Sequence, residues 1–303
     1  MGKLPTMRSD KSEILPYNFK NYFVFIGTER LSDHPNRCMF NHWHDDLEIV
    51  IPIMGHMIYN INGDLIRLEP GKGVFVNSNQ IHYGFSSDDS DCVFIYALWH
   101  PMLLCATNEI ESEYVNPIVR NSSIPYLKLN DQCDWQRSIM ADVQSMHGQL
   151  SERAAPLMLQ SYIYDIWHTI FVNTTQERKR SASASPQLSI LKDMLSYIHD
   201  GYHEKMTLNE IADSGNISIS NCNVIFKKYL KESPIKYLLN YRLMKSSELL
   251  INSAMPITEI AFEVGFSNPS YYIDAFKKAY GNTPNNYRKK HRKADVFEEY
   301  TDN

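Results

Sequence analysis

The chain has 303 residues, of which 43% are hydrophobic, and its formal net charge is −5. This is enough for two domains with buried cores. Its five scattered cysteines form no Cys-x-x-Cys pair, which argues against a disulfide framework or a zinc ribbon. The first residues lack the apolar core of a signal peptide, and no apolar run is long enough to span a bilayer. We therefore predict a cytoplasmic protein that does not enter a membrane.

The first hundred residues alternate between short apolar segments and turns. Residues 1–20 are polar with two prolines, and form either an arm or a disordered terminus. The Asn-Gly at residues 62–63 and the Pro-Gly at residues 70–71 are turn signals between short strands, which predicts hairpins in a small barrel or sandwich at residues 21–100. The predicted strands are residues 22–26, 47–53, 57–61, 65–68, 73–76 and 93–97.

A histidine motif lies among these strands. His42 and His44 are two residues apart, Glu48 follows four residues after His44, and His82 comes from a later hairpin. Side chains two apart on a strand point to the same face, so both histidines are expected to point into the barrel. The spacing matches the first cupin motif, whereas the second cupin motif is poorly kept and retains only its histidine.

Three roles are open for this motif. The resemblance to metal-dependent cupins implies that His42, His44, Glu48 and His82 hold Fe, Mn, Ni or Zn, for which imidazole and carboxylate are suitable ligands. Alternatively, the same residues together with Tyr59 contact a small-molecule effector, since a barrel of this size can hold one. A purely structural role is the third interpretation. The aromatic residues at 43, 59 and 83 either line a sugar-binding mouth or belong to the core.

The spacing of the apolar residues changes in residues 101–173, which we predict to be helical. Apolar residues recur at helical spacing between residues 135 and 172, which predicts two amphipathic helices. Such helices either cap the barrel or make a dimer contact, and we favour a homodimer. Residues 174–187 are polar, low in complexity and end near Pro186, which predicts a flexible linker.

Two similar segments follow the linker, about fifty residues apart. Each has an Ile-Ala pair, at residues 211–212 and 260–261, then a turn, then a helix ending in Phe-Lys-Lys, at residues 226–228 and 276–278. Asn216 and Gly265 suit a left-handed turn, and Ser218 and Ser267 are predicted to cap the second helix of each pair. This pattern indicates two helix-turn-helix units, which place a helix in the DNA major groove. A generic repeat of helical hairpins is the alternative.

The charge distribution agrees with DNA binding. Residues 186–293 contain 15 Lys and Arg against 10 Asp and Glu, whereas the residues before them contain 15 against 21. Attraction to phosphate requires local positive charge, and only the repeat region has it.

Residues 188–292 resemble the DNA-binding domain of the AraC/XylS family of bacterial transcription regulators. The resemblance implies seven helices, with two helix-turn-helix units joined by a rigid helix, and binding near a promoter. The motifs that carry it begin at Phe226, Tyr237, Tyr241, Pro256, Gly265, Tyr271, Phe276, Thr283 and Tyr287.

Positions that match the family motif give the expected DNA contacts. Many family members have Arg where this chain has Val224 and Asp274, and Arg is the usual reader of guanine. We therefore expect more hydrogen-bonded readout by the first unit and more apolar contact by the second. The expected contacts are Ser220, Asn221, Asn223, Val224 and Lys227 in the first unit, and Ser270, Tyr271, Ile273, Asp274, Lys277 and Lys278 in the second.

The sequence thus predicts an α+β protein, with an N-terminal cupin-like β-barrel, accessory helices and a C-terminal all-α domain with two helix-turn-helix units. The leading function is a ligand-responsive transcription regulator, expected to be an activator. It is expected to bind double-stranded DNA, a sugar or related metabolite, and RNA polymerase. It is not expected to be an enzyme. No cofactor is expected other than the divalent metal that is one of the three interpretations of the histidine motif. The alternatives are a metal-dependent cupin enzyme fused to a DNA-binding domain, and a DNA-binding protein without an effector.

Overall fold

Two facing β-sheets form the core of the first half of the chain. The computed structural model describes residues 6–7, 13–174 and 186–292 and divides the chain into two units, Met1–Leu188 and Ser189–Asn303. Antiparallel strands of the first unit form a five-stranded sheet in the order β8-β5-β2-β7-β1 and a three-stranded sheet in the order β4-β3-β6. The strands are β1 (Val24–Arg30), β2 (Leu47–Gly55), β3 (Met57–Ile61), β4 (Asp64–Leu68), β5 (Lys72–Val76), β6 (His82–Phe85), β7 (Cys92–Trp99) and β8 (Tyr126–Asn130).

The central strand β2 is buried on both faces, which explains its nearly continuous apolar sequence. Val50 points between the two sheets, where it joins Tyr59 and Ile61 of the smaller sheet in one core cluster. Its neighbours Ile49 and Ile51 point the other way, into a second cluster between the five-stranded sheet and two helices.

The two helices are α1 (Asp134–Gly148) and α2 (Ala155–Thr174), as the helical periodicity predicted. Their buried faces, which include Ile139, Val143, Leu159 and Ile163, cover the outer face of the five-stranded sheet. The helices therefore cap the barrel, and any dimer contact must use their opposite faces. Between β7 and β8 the chain forms only short helical turns, at Pro101–Leu104, Asn108–Ile110, Glu111–Val115 and Asn116–Val119.

Six predicted strands are present, but two strands of the sheets were missed. The first predicted strand starts at Val24 rather than at residue 22. Strand β6 is short and contains Gly84, a residue with low strand propensity. Strand β8 lies in the region that was expected to be helical, and it is held by pairing with β5, about fifty residues earlier in the chain. Such long-range pairing leaves no local sequence signal.

The two turn signals have different outcomes. Asn62 and Gly63 both have positive φ, 51° and 94°, and close a two-residue hairpin between β3 and β4 as predicted. The Pro-Gly turn at residues 70–71 instead carries the chain from one sheet to the other.

The predicted arm and linker fall mostly outside the described residues. Within the arm, Thr6–Met7 pair with Glu13–Ile14, and the chain is described continuously from residue 13. Residues 175–185 of the predicted linker lie outside the described residues, while Thr174 and Pro186 at its ends belong to helices.

Seven helices form the second unit between residues 186 and 292, as the family resemblance implied. The last helix ends at Arg292, and Arg288 anchors it by donating to the carbonyl oxygens of Leu250 (3.2 Å) and Met255 (2.6 Å). The helices are α3 (Pro186–Gly201), α4 (Leu208–Ser214), α5 (Ile219–Leu230), α6 (Pro234–Asn252), α7 (Ile257–Glu263), α8 (Pro269–Tyr280) and α9 (Pro284–Arg292).

Candidate functional site

Four polar side chains of the histidine motif meet inside the first unit. His42, His44, Glu48 and His82 are all buried, and each offers one ligand atom within 4.8 Å of the others. A carboxylate oxygen of Glu48 lies 2.7 Å from Nε2 of His82 and 3.5 Å from Nε2 of His44. Only Glu48 and His82 come from named strands. His42 and His44 lie in the extended chain before β2, where His42 bridges to His82.

Each histidine ring is held by a backbone carbonyl. Nδ1 of His42, His44 and His82 lies 2.9, 3.0 and 2.8 Å from the carbonyl oxygens of Phe40, Asp46 and Gln80. A carbonyl oxygen can only accept a hydrogen bond, so each ring carries a proton on Nδ1. The other ring nitrogen, Nε2, lies beside the Glu48 carboxylate in His44 and His82, and one ring nitrogen of His42 lies within 4.8 Å of these donor atoms.

The charge of Glu48 is stabilised within this cluster. Burial alone would raise the pKa of the carboxyl, but His82 and His44 outweigh burial and hold the pKa well below its ordinary value. Tyr59 also donates to the carboxylate over 3.3 Å. The site therefore combines a carboxylate that favours its ionised form, three imidazoles and a tyrosine hydroxyl, all of them buried.

These residues fit a divalent transition metal. The two distances from the Glu48 carboxylate to imidazole nitrogens, 2.7 and 3.5 Å, bracket the edge of a coordination shell whose bonds are about 2.0–2.1 Å long, and all four donor atoms lie within 4.8 Å of one another. Metal-bound histidines commonly donate their other ring N–H to a carbonyl, and all three rings here do so. The spacing of the motif predicts which residue types are present. The position of His82 and the tautomer of each ring come only from the structure.

The aromatic residues near the motif belong to the core. Trp43, Tyr59 and Tyr83 are 3%, 0% and 7% exposed, so they do not form an open sugar-binding mouth. Their polar atoms are used inside the fold; the Tyr83 hydroxyl, for example, accepts from the side-chain amide of Asn60 over 3.1 Å.

The turns of the two helix-turn-helix units in the second half begin in the same way. Asn216 and Gly265 adopt positive φ, 52° and 88°, as predicted. The residue after each donates to the carbonyl of the preceding Ile-Ala pair, Ile217 to Ala212 (3.2 Å) and Phe266 to Ala261 (2.9 Å). A side chain at position 265 would also come within 2.6 Å of the Tyr202 carbonyl oxygen, so this turn requires glycine for two reasons.

The start of the second helix differs between the units. Ser218 caps α5 as predicted, accepting from the Asn221 N–H over 3.3 Å. The prediction for Ser267 was wrong, because the cap of α8 is Asn268, which accepts from the N–H groups of Ser270 (2.8 Å) and Tyr271 (3.3 Å). The second turn is one residue longer, so the helix begins at Pro269, and a one-residue shift moves the cap from serine to asparagine.

The expected DNA contacts lie mainly on exposed surfaces of α5 and α8. Asn223 and Ile273 are the exceptions and are half-buried: the Asn223 amide donates to the Ile219 carbonyl over 3.0 Å, and Ile273 packs against the core of the second unit. The exposed residues are Ser220, Asn221, Val224 and Lys227 on α5 and Ser270, Tyr271, Asp274, Lys277 and Lys278 on α8.

Comparison with known proteins gives a match for the unit that contains the histidine cluster and a match for the helix-turn-helix unit. A family model described as an AraC-like ligand binding domain matches residues 25–166, and a helix-turn-helix domain model matches residues 211–290. An HTH-type transcriptional regulator of Bacillus subtilis (strain 168), YdeC, is 31% identical over 82% of this chain and 85% of its own. The chain belongs to the AraC family of transcriptional regulators.

Two further relatives of this AraC-family regulator have more specific names. The melibiose operon regulatory protein of Escherichia coli (strain K12) is 24% identical over 84% of this chain and 85% of its own. The HTH-type transcriptional activator RhaR of Mannheimia succiniciproducens is 23% identical over 91% of this chain and 98% of its own. The family assignment establishes a DNA-binding regulator with a ligand-binding domain. In the part of the chain that the structure describes, no helix is both long and apolar enough to cross a membrane.

One acidic residue of this AraC-family regulator lies beside α5 and has no signal in the sequence. Glu232 lines a cavity of about 480 Å³ together with Val224, Lys227 and Ser233. Burial raises the pKa of Glu232 to about 7, although Lys236 and a hydrogen bond from Asn240 oppose the shift. Near neutral pH the side chain therefore carries less negative charge than an exposed glutamate, which reduces its repulsion of DNA phosphate.

The shifted cap of the second recognition helix can be tested by a matched pair of substitutions. Asn268→Ala should lower the free energy of unfolding of the DNA-binding unit by about 1 kcal/mol, because the first N–H groups of α8 lose their acceptor. Ser267→Ala, at the position expected from the first unit, should change it by less than about 0.5 kcal/mol. Urea unfolding followed by circular dichroism measures both. A larger loss in Ser267→Ala than in Asn268→Ala would contradict the assigned cap.

Proposed function

We propose that this AraC-family protein regulates transcription in response to a sugar or related polar metabolite that binds at the histidine cluster, and that it is not an enzyme. The observation that carries the proposal is the buried group of imidazoles, carboxylate and tyrosine hydroxyl inside the ligand-binding domain. Such groups suit a ligand with several hydroxyl oxygens. The relative named for the melibiose operon, which concerns a sugar, supports this ligand class.

We propose further that a divalent transition metal occupies the cluster, held by Nε2 of His42, His44 and His82 and by the Glu48 carboxylate. The three fixed tautomers and the ionised carboxylate support this. When bound, the metal would supply a Lewis acid for hydroxyl or carboxylate oxygens of the effector. The chain itself orients the rings, keeps Glu48 ionised and excludes bulk water.

DNA recognition is assigned to α5 and α8, through their exposed residues and the half-buried Asn223 and Ile273. Ser220, Asn221, Asn223 and Val224 would face base edges from α5, with Lys227 on a phosphate. On α8 we assign base-edge contact to Ser270, Tyr271, Ile273 and Asp274, and phosphate contact to Lys277 and Lys278.

The cellular setting follows from DNA binding. A regulator of this kind acts in the cytoplasm, where the bacterial chromosome lies. The relative named a transcriptional activator supports activation, which we propose includes contact with RNA polymerase.

We also propose that α2 mediates a homodimer through the face that does not cover the sheet. Leu157, Tyr164 and Val172 lie on this face and are 76%, 40% and 42% exposed. They recur at the spacing of a single helical stripe, and exposed apolar stripes commonly form interfaces.

Substitution on the exposed face of α2 tests the dimer. Leu157→Glu should shift the monomer–dimer equilibrium toward the monomer by at least about tenfold, because the charge would be desolvated in the contact. Leu65→Glu, at a position that is 53% exposed in the smaller sheet, is the matched control and should leave the equilibrium unchanged. Sedimentation at several concentrations measures both. A wild-type protein that stays monomeric at high concentration, or a Leu157→Glu dimer as tight as wild type, would refute the interface.

The function as a whole is tested by DNA selection with the full chain. Protein-bound genomic fragments are sequenced, and the affinity for the enriched site is then measured with a panel of sugars, sugar acids and unrelated metabolites. One ligand class should both raise the melting temperature and change DNA affinity. DNA affinity that no ligand changes would favour a DNA-binding protein without an effector. Chemical conversion of a bound ligand, lost in His44→Ala, would favour the cupin enzyme.

A further inference from the structure

A carboxylate next to the histidine cluster is buried and is used by neither proposed role. Asp46 lies between His44 and Glu48 in the chain and is 0% exposed. Removing a carboxylate from water costs several kcal/mol unless hydrogen bonds compensate. The Tyr17 hydroxyl supplies such a bond, lying 3.0 Å from Oδ1 and 3.2 Å from Oδ2 of Asp46. A residue from the start of the chain therefore contacts the loop that carries the cluster.

The backbone of the same aspartate orients His44. The Asp46 carbonyl oxygen accepts the Nδ1–H of His44 over 3.0 Å, and this bond turns Nε2 toward Glu48. The rings of the other two histidines are held by the carbonyls of Phe40 and Gln80. A shift of the Asp46 backbone would thus reorient His44 in particular.

The segment that carries Tyr17 is also anchored on the side of β1. The next residue, Asn18, donates its backbone N–H to the Val24 carbonyl (2.9 Å), and its side chain exchanges two hydrogen bonds with the backbone of Ile26 (2.6 and 3.1 Å). The Tyr17 ring packs edge-on against Phe23 with centroids 5.3 Å apart. The segment that carries Tyr17 is therefore anchored to β1 through Asn18. This anchor remains when the Tyr17 hydroxyl is removed.

We propose that Tyr17 and Asp46 are positioning residues for the metal ligand His44, and that metal binding in turn tightens the contact of the N-terminal segment, residues 15–18, with the cluster loop. The inference rests on the metal centre proposed above and adds its regulation. Coupling between two sites is reciprocal, so a contact that improves metal binding must itself be strengthened by the metal. Removal of outer contacts to metal-bound histidines commonly lowers metal affinity about 10- to 100-fold.

The test compares Tyr17→Phe with wild type in Ni²⁺ titrations of the full metal-free chain. Tyr17→Phe should bind Ni²⁺ about tenfold more weakly, because the hydroxyl acts through Asp46 and not on the metal itself. Tyr22→Phe is the matched control: it removes a hydroxyl from the same part of the chain, one that donates to Gln160 over 3.1 Å, and should leave Ni²⁺ affinity unchanged. Circular dichroism of the metal-free proteins establishes that all three are folded alike.

Hydrogen exchange supplies a second measurement. Ni²⁺ should slow exchange of the peptide that contains residues 15–18 in wild type and Tyr22→Phe, and slow it less in Tyr17→Phe. If wild type does not bind Ni²⁺, the metal centre and this inference both fail. If wild type binds Ni²⁺ and Tyr17→Phe matches Tyr22→Phe in affinity and exchange, the metal centre stands and the positioning role is refuted.

Discussion

Glu48→Gln is expected to weaken Ni²⁺ binding by more than about 100-fold, a larger effect than loss of an outer contact. Glu48 is the anionic member of the cluster, and its carboxylate lies 2.7 Å from His82 and 3.5 Å from His44. The amide keeps the shape of the side chain but offers neither the charge nor a second equivalent oxygen. Because His82 and His44 stabilise the ionised carboxyl more than burial disfavours it, the neutral amide should also lower the stability of the metal-free fold, so circular dichroism of the metal-free variant is the folding control.

Tyr59→Phe is the matched control for Glu48→Gln. It removes the hydroxyl that donates to Glu48 over 3.3 Å but leaves all four donor side chains in place. Its Ni²⁺ affinity should lie much closer to wild type than that of Glu48→Gln. Calorimetric titration and metal analysis of the purified proteins measure the affinities. Equal Ni²⁺ affinity of wild type and Glu48→Gln would exclude the cluster as a metal centre and leave the effector and structural interpretations.

Combined replacement of Lys227 and Lys277 by alanine is expected to weaken DNA binding about 10- to 100-fold near 0.1 M salt. Both lysines are exposed near the C-terminal ends of the recognition helices, one in each unit. Each phosphate contact releases counterions, so the slope of log K against log salt should become shallower by about 0.9 for each lysine. The loss should be similar for specific and unspecific DNA, because phosphate contacts carry no sequence information.

Lys128→Ala controls for overall charge, since this lysine is exposed on β8 in the ligand-binding unit. It should leave both the affinity and the salt slope unchanged. Asp274→Arg should have the opposite effect to the double replacement, with tighter binding and a steeper slope. Fluorescence anisotropy across a salt series gives all of these values. An unchanged slope in the double variant would show that α5 and α8 do not present these lysines to phosphate.

The second recognition helix shows how far a repeat can be extrapolated. The turns of the two units were predictable because an Ile-Ala pair and a residue tolerant of positive φ recur 49 residues apart. From the start of the second helix onward, matching residues of the two units lie 50 residues apart. Asn268 therefore matches Ser218 and caps α8 instead of Ser267. The difference of one residue is itself visible in the sequence, because the Phe-Lys-Lys endings lie 50 residues apart and Pro269 suits the first position of a helix.

The sequence by itself determined the class of protein and the residue types of both candidate sites. Short-range patterns carry this information: the His-x-His spacing, the strand alternation of the barrel, and the repeated turn with its paired lysines. Only the tertiary structure decided which groups meet and how they are oriented. It oriented the His82 ring toward Glu48, added β8 to the sheet, and placed Tyr17 on Asp46, 29 residues away. Contacts between distant residues depend on the packing of the complete chain, so no local pattern contains them.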